Sequence, residues 1–181
     1  GVHTLSAAHF ERALRNGGRI TGVSFSSRKN ADAANLAQAL QGKTWQDLQA
    51  GNGALLNRIG EVLLSGDQII VDDAGYQRTI TVGVASEWQN YFTVRAKVEE
   101  FRGERLSNEQ LAEKVRAQQG VSAVDQEAAG RLLAQSIKDN DSSAAAVAGV
   151  LSGNAYLVAD VGGALGITSP VAINAKYILE E

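Results

Sequence analysis

The strictest pattern in the chain lies between Gln68 and Val84. Tyr76, Arg78, Ile80, Val82 and Val84 alternate with Gln77, Thr79, Thr81 and Gly83. Successive side chains of a strand point to opposite faces, so this alternation demands a strand with one packed and one wet face. Gln68 to Val71 reads as its partner strand. Asp72-Asp73-Ala74-Gly75 between them is turn chemistry, because Gly accepts positive φ and Asp bonds nearby backbone N–H groups. The pair predicts an antiparallel hairpin. From Tyr91 to Glu99, Phe92, Val94, Ala96 and Val98 alternate with Tyr91, Thr93, Arg95 and Lys97. That predicts another strand, and with it a small antiparallel sheet over about residues 68–99.

Helical spacing flanks this region. Phe10 and Leu14 follow Leu5 at near-helical intervals, with Thr4 or Ser6 as a cap, and Asn16-Gly17-Gly18 ends the segment. Arg19 to Phe25 reads as a short strand. Asn30 caps a helix through Ala33, Leu36, Ala37 and Leu40. Thr44 with Asp47 resembles a capping box for a short turn carrying Trp45 and Leu48. After the break at Gly51-Asn52-Gly53, Ala54 to Leu64 is amphipathic, with Leu55, Ile59, Val62 and Leu63 on one face. Ser107 with Gln110 opens a further helix, onto which Leu106 can staple. Ser122 with Asp125 opens another, running to about Asp139 with Val124, Ala128, Leu132 and Ile137 inward. The fold class that follows is α+β, with helices at both ends around the small sheet and a helical C-terminal part. Residues 1–181 make a single domain, within which 107–181 forms a helical subdomain.

Composition excludes several functions. Of 181 residues, 44% are apolar and 20% charged, as in a packed globular domain. A net charge of −3 argues against a dedicated nucleic-acid binder. The chain has no Cys, which removes disulfides, thiol nucleophiles, iron–sulfur clusters and thiolate zinc sites. Its two histidines, His3 and His9, exclude a His-rich metal site and any triad with a mid-chain His. No cofactor or metal motif is present. The lack of Met reads as a processed product, or a piece of a longer protein.

The remaining motifs are weak. Gly42-Lys43-Thr44 lacks the upstream Gly of a phosphate loop and reads as a helix break followed by a cap. Asp72-Asp73 lacks the alternating acids of a calcium loop and reads as a turn. The catalytic chemistry the inventory permits is carboxylate hydrolysis of a glycan, with Glu87, Glu99, Glu100 and Asp73 as candidates. Arg28 and Lys29, beside Ser26 and Ser27, are candidates for holding an anion or an acidic partner. Trp88 and Tyr91 are candidates for a contact surface, since aromatics dominate binding hot spots. His9 reads as partly buried structure beside Phe10.

Ser142 to Ala175 carries one charge, Asp160, and is rich in Ala, Gly and Val. The stretch reads as tightly packed core helices or as a hairpin that inserts into a membrane on a trigger. Neither half reaches the about 20 apolar residues of a constitutive span.

The leading expectation for function is a non-enzymatic binding or effector module, cut from a larger bacterial exported or assembled protein and recognising a protein partner. The alternatives are the carboxylate-dependent glycan hydrolase and a membrane-active domain using 142–175.

Overall fold

In a computed structural model of the chain, the alternating segment forms the expected hairpin. The structure describes residues 5–26, 30–105, 110 and 121–152. Strand β2 (Gln68–Asp73) pairs antiparallel with β3 (Tyr76–Thr81) around Ala74-Gly75. Both turn residues have positive φ, 53° and 93°. That is the two-residue turn whose twist suits a hairpin. Asp72 Oδ1 accepts the Gly75 N–H at 3.0 Å, which fulfils the turn reading of this Asp.

The fold is α+β, but its third strand is not where the alternation placed it. The sheet order is β1-β2-β3, and β1 is Arg19–Ser24, antiparallel to β2 with a bulge between Ile20 and Gly22. Tyr91 to Glu99 is helical instead, inside α4 (Ala85–Gly103). The residues this helix buries include Trp88, Tyr91, Phe92, Arg95, Val98 and Glu99. They recur every three or four positions, as one helix face must. Two of them are charged, so hydrophobicity alone does not show the helical period. What remains visible is the chance alternation of Phe92, Val94, Ala96 and Val98.

The described residues divide into two compact units, one up to Phe92 and one from Thr93 onward. In the first, α1 (Leu5–Arg15) precedes β1, and α2 (Ala31–Leu40) and α3 (Trp45–Val62) lie between β1 and β2. Asn30 caps α2 by accepting the Ala33 N–H at 2.7 Å. Thr44 and Asp47 close a reciprocal capping box at the start of α3. The Gly42-Lys43-Thr44 run is thus a helix break and a cap. Within α3, Gly51, Asn52 and Gly53 have φ of 63°, 59° and 74°, so the element is two helical stretches across a break. Its buried face after the break is Leu56, Ile59, Gly60 and then Leu63, whereas Leu55 and Val62 are only half-buried.

Cross-strand partners share a face of the sheet, which places Ile20, Ile69, Val71, Arg78 and Ile80 on one side. Ile20, Ile69 and Val71 are fully buried there. The core continues through Phe10 and Leu14 of α1, Leu36 and Leu40 of α2, and Leu48, Leu56 and Ile59 of α3. The other face of the sheet is mostly polar, with Gln68, Asp72, Gln77, Thr79 and Thr81 around Ile70. Phe10, Trp88 and Phe92 form an aromatic cluster with ring centroids 5.5–5.9 Å apart. Asp67 is fully buried and accepts the N–H groups of Ser26 (3.0 Å) and Leu64 (2.8 Å), tying the end of β1 to the turn before β2.

The second unit holds the remainder of α4, α5 (Ala123–Lys138) and α6 (Ser142–Leu151). Ser122 caps α5 by accepting the Asp125 N–H at 3.1 Å. Ala128 and Leu132 are buried as expected, but Val124 is 54% exposed and Ile137 half-buried. Ala129, Leu133 and Ala134 complete the packed face instead. Helices α5 and α6 pack on each other, and Ala144, Ala145, Val147, Ala148 and Leu151 of α6 are buried. The helix expected from Ser107 lies outside the described residues, as does the charge-poor stretch beyond Ser152.

Candidate functional site

Helix α1 buries Ala7, Phe10, Glu11 and Leu14. Its adjacent stripe, His9, Arg12, Ala13 and Asn16, has the spacing of one helix face. That stripe forms one wall of an open cleft of about 490 Å³. Asp73 at the end of β2 and Arg78, Thr79 and Ile80 of β3 form the other wall. The cleft therefore lies between the exposed side of α1 and the hairpin, on the α1 side of the edge strand.

Its chemistry is cationic and polar. Among the described residues, two arginines and a histidine line it with one carboxylate. Arg78 is 63% exposed in its side chain and sets its Nε 3.4 Å from Asp73 Oδ2. Both terminal nitrogens of Arg78 are without a hydrogen bond among the described residues. A guanidinium held at one end and open at the other suits a second carboxylate or a phosphate, which it can grip through two parallel N–H bonds. His9 is exposed, not the partly buried residue its position beside Phe10 suggested.

The carboxylates singled out in the sequence have separate surroundings. Asp73 stands in the cleft against Arg78. Glu87 is in the first turn of α4. Glu99 is buried between two arginines, 3.3 Å from Arg95 and 3.4 Å from Arg102. Glu100 sits 3.5 Å from Lys97, with its side chain 44% exposed. Glu99 and Glu100 are consecutive on a helix and so do not share a face. Among the described residues, no group of three or more His, Cys, Asp or Glu could hold a metal ion. Arg28 and Lys29 lie outside the described residues.

Trp88 and Tyr91, expected at an outward contact surface, are core residues. Trp88 is fully buried and donates its indole N–H to Ser6 Oγ at 2.6 Å. Tyr91 is 4% exposed and packs its ring on Phe92 with centroids 5.1 Å apart. Both sit on a helix face, where the expected strand would have put them at a rim.

The second unit carries a different charged cluster. Asp141 receives both oxygen contacts of Arg102 Nη2, at 2.7 and 2.8 Å, and accepts the Ala144 N–H at 3.2 Å as the cap of α6. Arg95 approaches the same carboxylate at 4.0 Å. Burial alone would raise the Asp141 pKa. The charge and hydrogen bonds of Arg102, the Ala144 N–H and the charge of Arg95 outweigh it and hold the carboxyl below its ordinary value. These groups serve one another and the helix cap, which makes the cluster a structural clamp.

No helix among the described residues is long and apolar enough to cross a membrane. Compared with known protein families, curated proteins and solved structures, the chain matches none.

Sequence reasoning missed His9, Arg12 and Arg78 as a group. The stripe of His9, Arg12 and Asn16 is readable from helical spacing, and Arg78 from the strand alternation. Nothing in the spacing brings α1 to the hairpin.

Proposed function

We propose that the chain is a non-enzymatic binding module that takes an anionic group of its partner into the cleft between α1 and β3. The observation that carries this reading is the convergence of His9, Arg12 and Arg78 on one open cleft where Asp73 is the one carboxylate among the described lining residues. Open cationic clefts attract anions from a distance and hold them by charge-assisted hydrogen bonds. Asp73 supports the same reading. By occupying the Nε side of Arg78 it leaves the two terminal nitrogens for a ligand, which favours one of planar, bidentate shape.

The test is an NMR titration of the isotope-labelled protein with pyrophosphate and with a short oligoglutamate. The reading expects saturable shifts at His9, Arg12 and Arg78, weakened by salt and lost in the Arg12→Ala, Arg78→Ala double variant. Absence of a site-specific response to either anion overturns it.

A further inference from the structure

The strand that walls the cleft is also an open edge. Ala74-Gly75 is a two-residue turn, so Asp73 and Tyr76 are its closing hydrogen-bonded pair. Pairing alternates from there, and Gln77, Thr79 and Thr81 turn their backbone N–H and C=O groups away from β2. None of the outward groups of these three residues has a backbone partner among the described residues. The opposite edge of the sheet differs. At Ile20 of β1, the N–H donates to the Lys43 carbonyl at 2.9 Å and the carbonyl accepts the Gly42 N–H at 2.7 Å. Only Ile80 of β3 is half-buried, and every other residue of the strand is exposed, Tyr76 at 78%.

We propose that the partner enters as an extended acidic peptide that adds a fourth strand to the outer edge of β3, with its carboxylates against Arg78 and Arg12. This rests on the reading of the cleft above. Strand addition supplies affinity through the main chain, and alternate side chains supply specificity. Every second residue of the added strand lies on the Arg78 side of the sheet and meets the cationic cleft. The intervening residues lie beside Gln77, Thr79 and Thr81, whose side chains are polar and uncharged. The preferred segment thus alternates Glu or Asp with Thr, Ser or Val.

Charge also decides against a second copy of this chain. From Tyr76 to Thr81 the strand contains Arg78 and no acid. Two such edges would bring two arginines onto one face of a continuous sheet, an unfavourable arrangement.

The probe is a capped peptide of about eight residues alternating Glu with Thr and Val, a length typical of a strand. A peptide with Lys in place of Glu is the control. Saturable binding of the Glu peptide, with slowed hydrogen exchange at the Gln77, Thr79 and Thr81 amides, is expected. Binding weakens about tenfold or more in Arg78→Ala and is lost in Thr79→Pro, which deletes an outward N–H where an edge strand tolerates Pro. Should Thr79→Pro unfold the protein, the exchange rates of the unaltered protein decide alone. Shifts at Arg12 and Arg78 without protection of the three amides overturn strand addition while the anion-binding cleft stands. Protection in the peptide-free protein that grows with its own concentration and doubles its mass assigns the edge to a second copy and overturns the peptide. Equal binding of the Lys peptide overturns the acidic specificity. No binding of the Glu peptide beside normal pyrophosphate binding overturns this inference alone, and loss of both overturns the cleft as well.

Discussion

Tyr91 donates its hydroxyl to Glu11 Oε1 at 2.9 Å, joining residues 80 positions apart inside the first unit. Glu11 is 1% exposed and also pairs through Oε2 with Arg15 at 3.0 Å. A buried carboxylate must be matched by donors, and the phenol is one of them. Tyr91→Phe keeps the ring and removes that donor. It is expected to cost about 1–3 kcal/mol, read as a lower urea midpoint with unchanged slope.

Ala74 sits in the left-handed region at φ 53°, where a Cβ is unfavourable. Asn tolerates this conformation and is favoured there before Gly in hairpin turns. Ala74→Asn is expected to stabilise the protein by about 1 kcal/mol and to raise the thermal midpoint. Because Ala74 is exposed at the hairpin tip, anion binding in the cleft should not change.

Gly18, in the turn after α1, packs between Ala13 of that helix and Val71 of the sheet. A Cβ built there would stand 2.5 Å from the Ala13 carbonyl oxygen and 2.8 Å from Val71 Cγ1. Backbone cannot retreat cheaply, so Gly18→Ala is expected to cost about 1–3 kcal/mol. Since this turn sets α1 against the hairpin, the same variant should also weaken pyrophosphate binding. Intact affinity in a destabilised Gly18→Ala protein would show that the cleft does not depend on this contact.

Asp141 sets an acid limit on the second unit. Its pKa is lowered by folding from an ordinary value of 3.8. The stabilisation is therefore complete well above that value and is lost as pH falls through the lower folded value. The protein should weaken as pH falls below about 4, and Asp141→Asn should be less stable at neutral pH but flatter across the acid range. Asp141→Ala removes the cap of α6 and a carboxylate from Arg95 and Arg102 together. It is expected to cost about 2–4 kcal/mol. Urea unfolding at a series of pH values measures all three proteins.

Local chemistry was legible wherever a residue acts on its near neighbours. Asn30, Thr44 with Asp47, Ser122 with Asp125, and the Asp72 turn all act within three positions of chain. The α4 helix was not, because Arg95 and Glu99 occupy the face that apolar residues usually announce. Each is buried beside an opposite charge, an arrangement that no hydrophobic pattern encodes. The cleft was legible only in halves. His9 and Arg12 lie on a helix and Arg78 on a strand more than sixty positions later, and their meeting depends on how α1 packs against the sheet.

The closure of Ile20 by Gly42 and Lys43 has a consequence for aggregation. A fibre built by edge-on stacking needs two live ends in every subunit, so that each addition leaves a template for the next. This sheet has its open end at β3 and is blocked at Ile20 on the other side. Even a mispaired copy, joined through β3, would present outward two β1 sides that are each closed at Ile20. Growth past two chains would have to get round the closure at Ile20, so a destabilised variant that remains folded should accumulate as dimers before it accumulates as fibres.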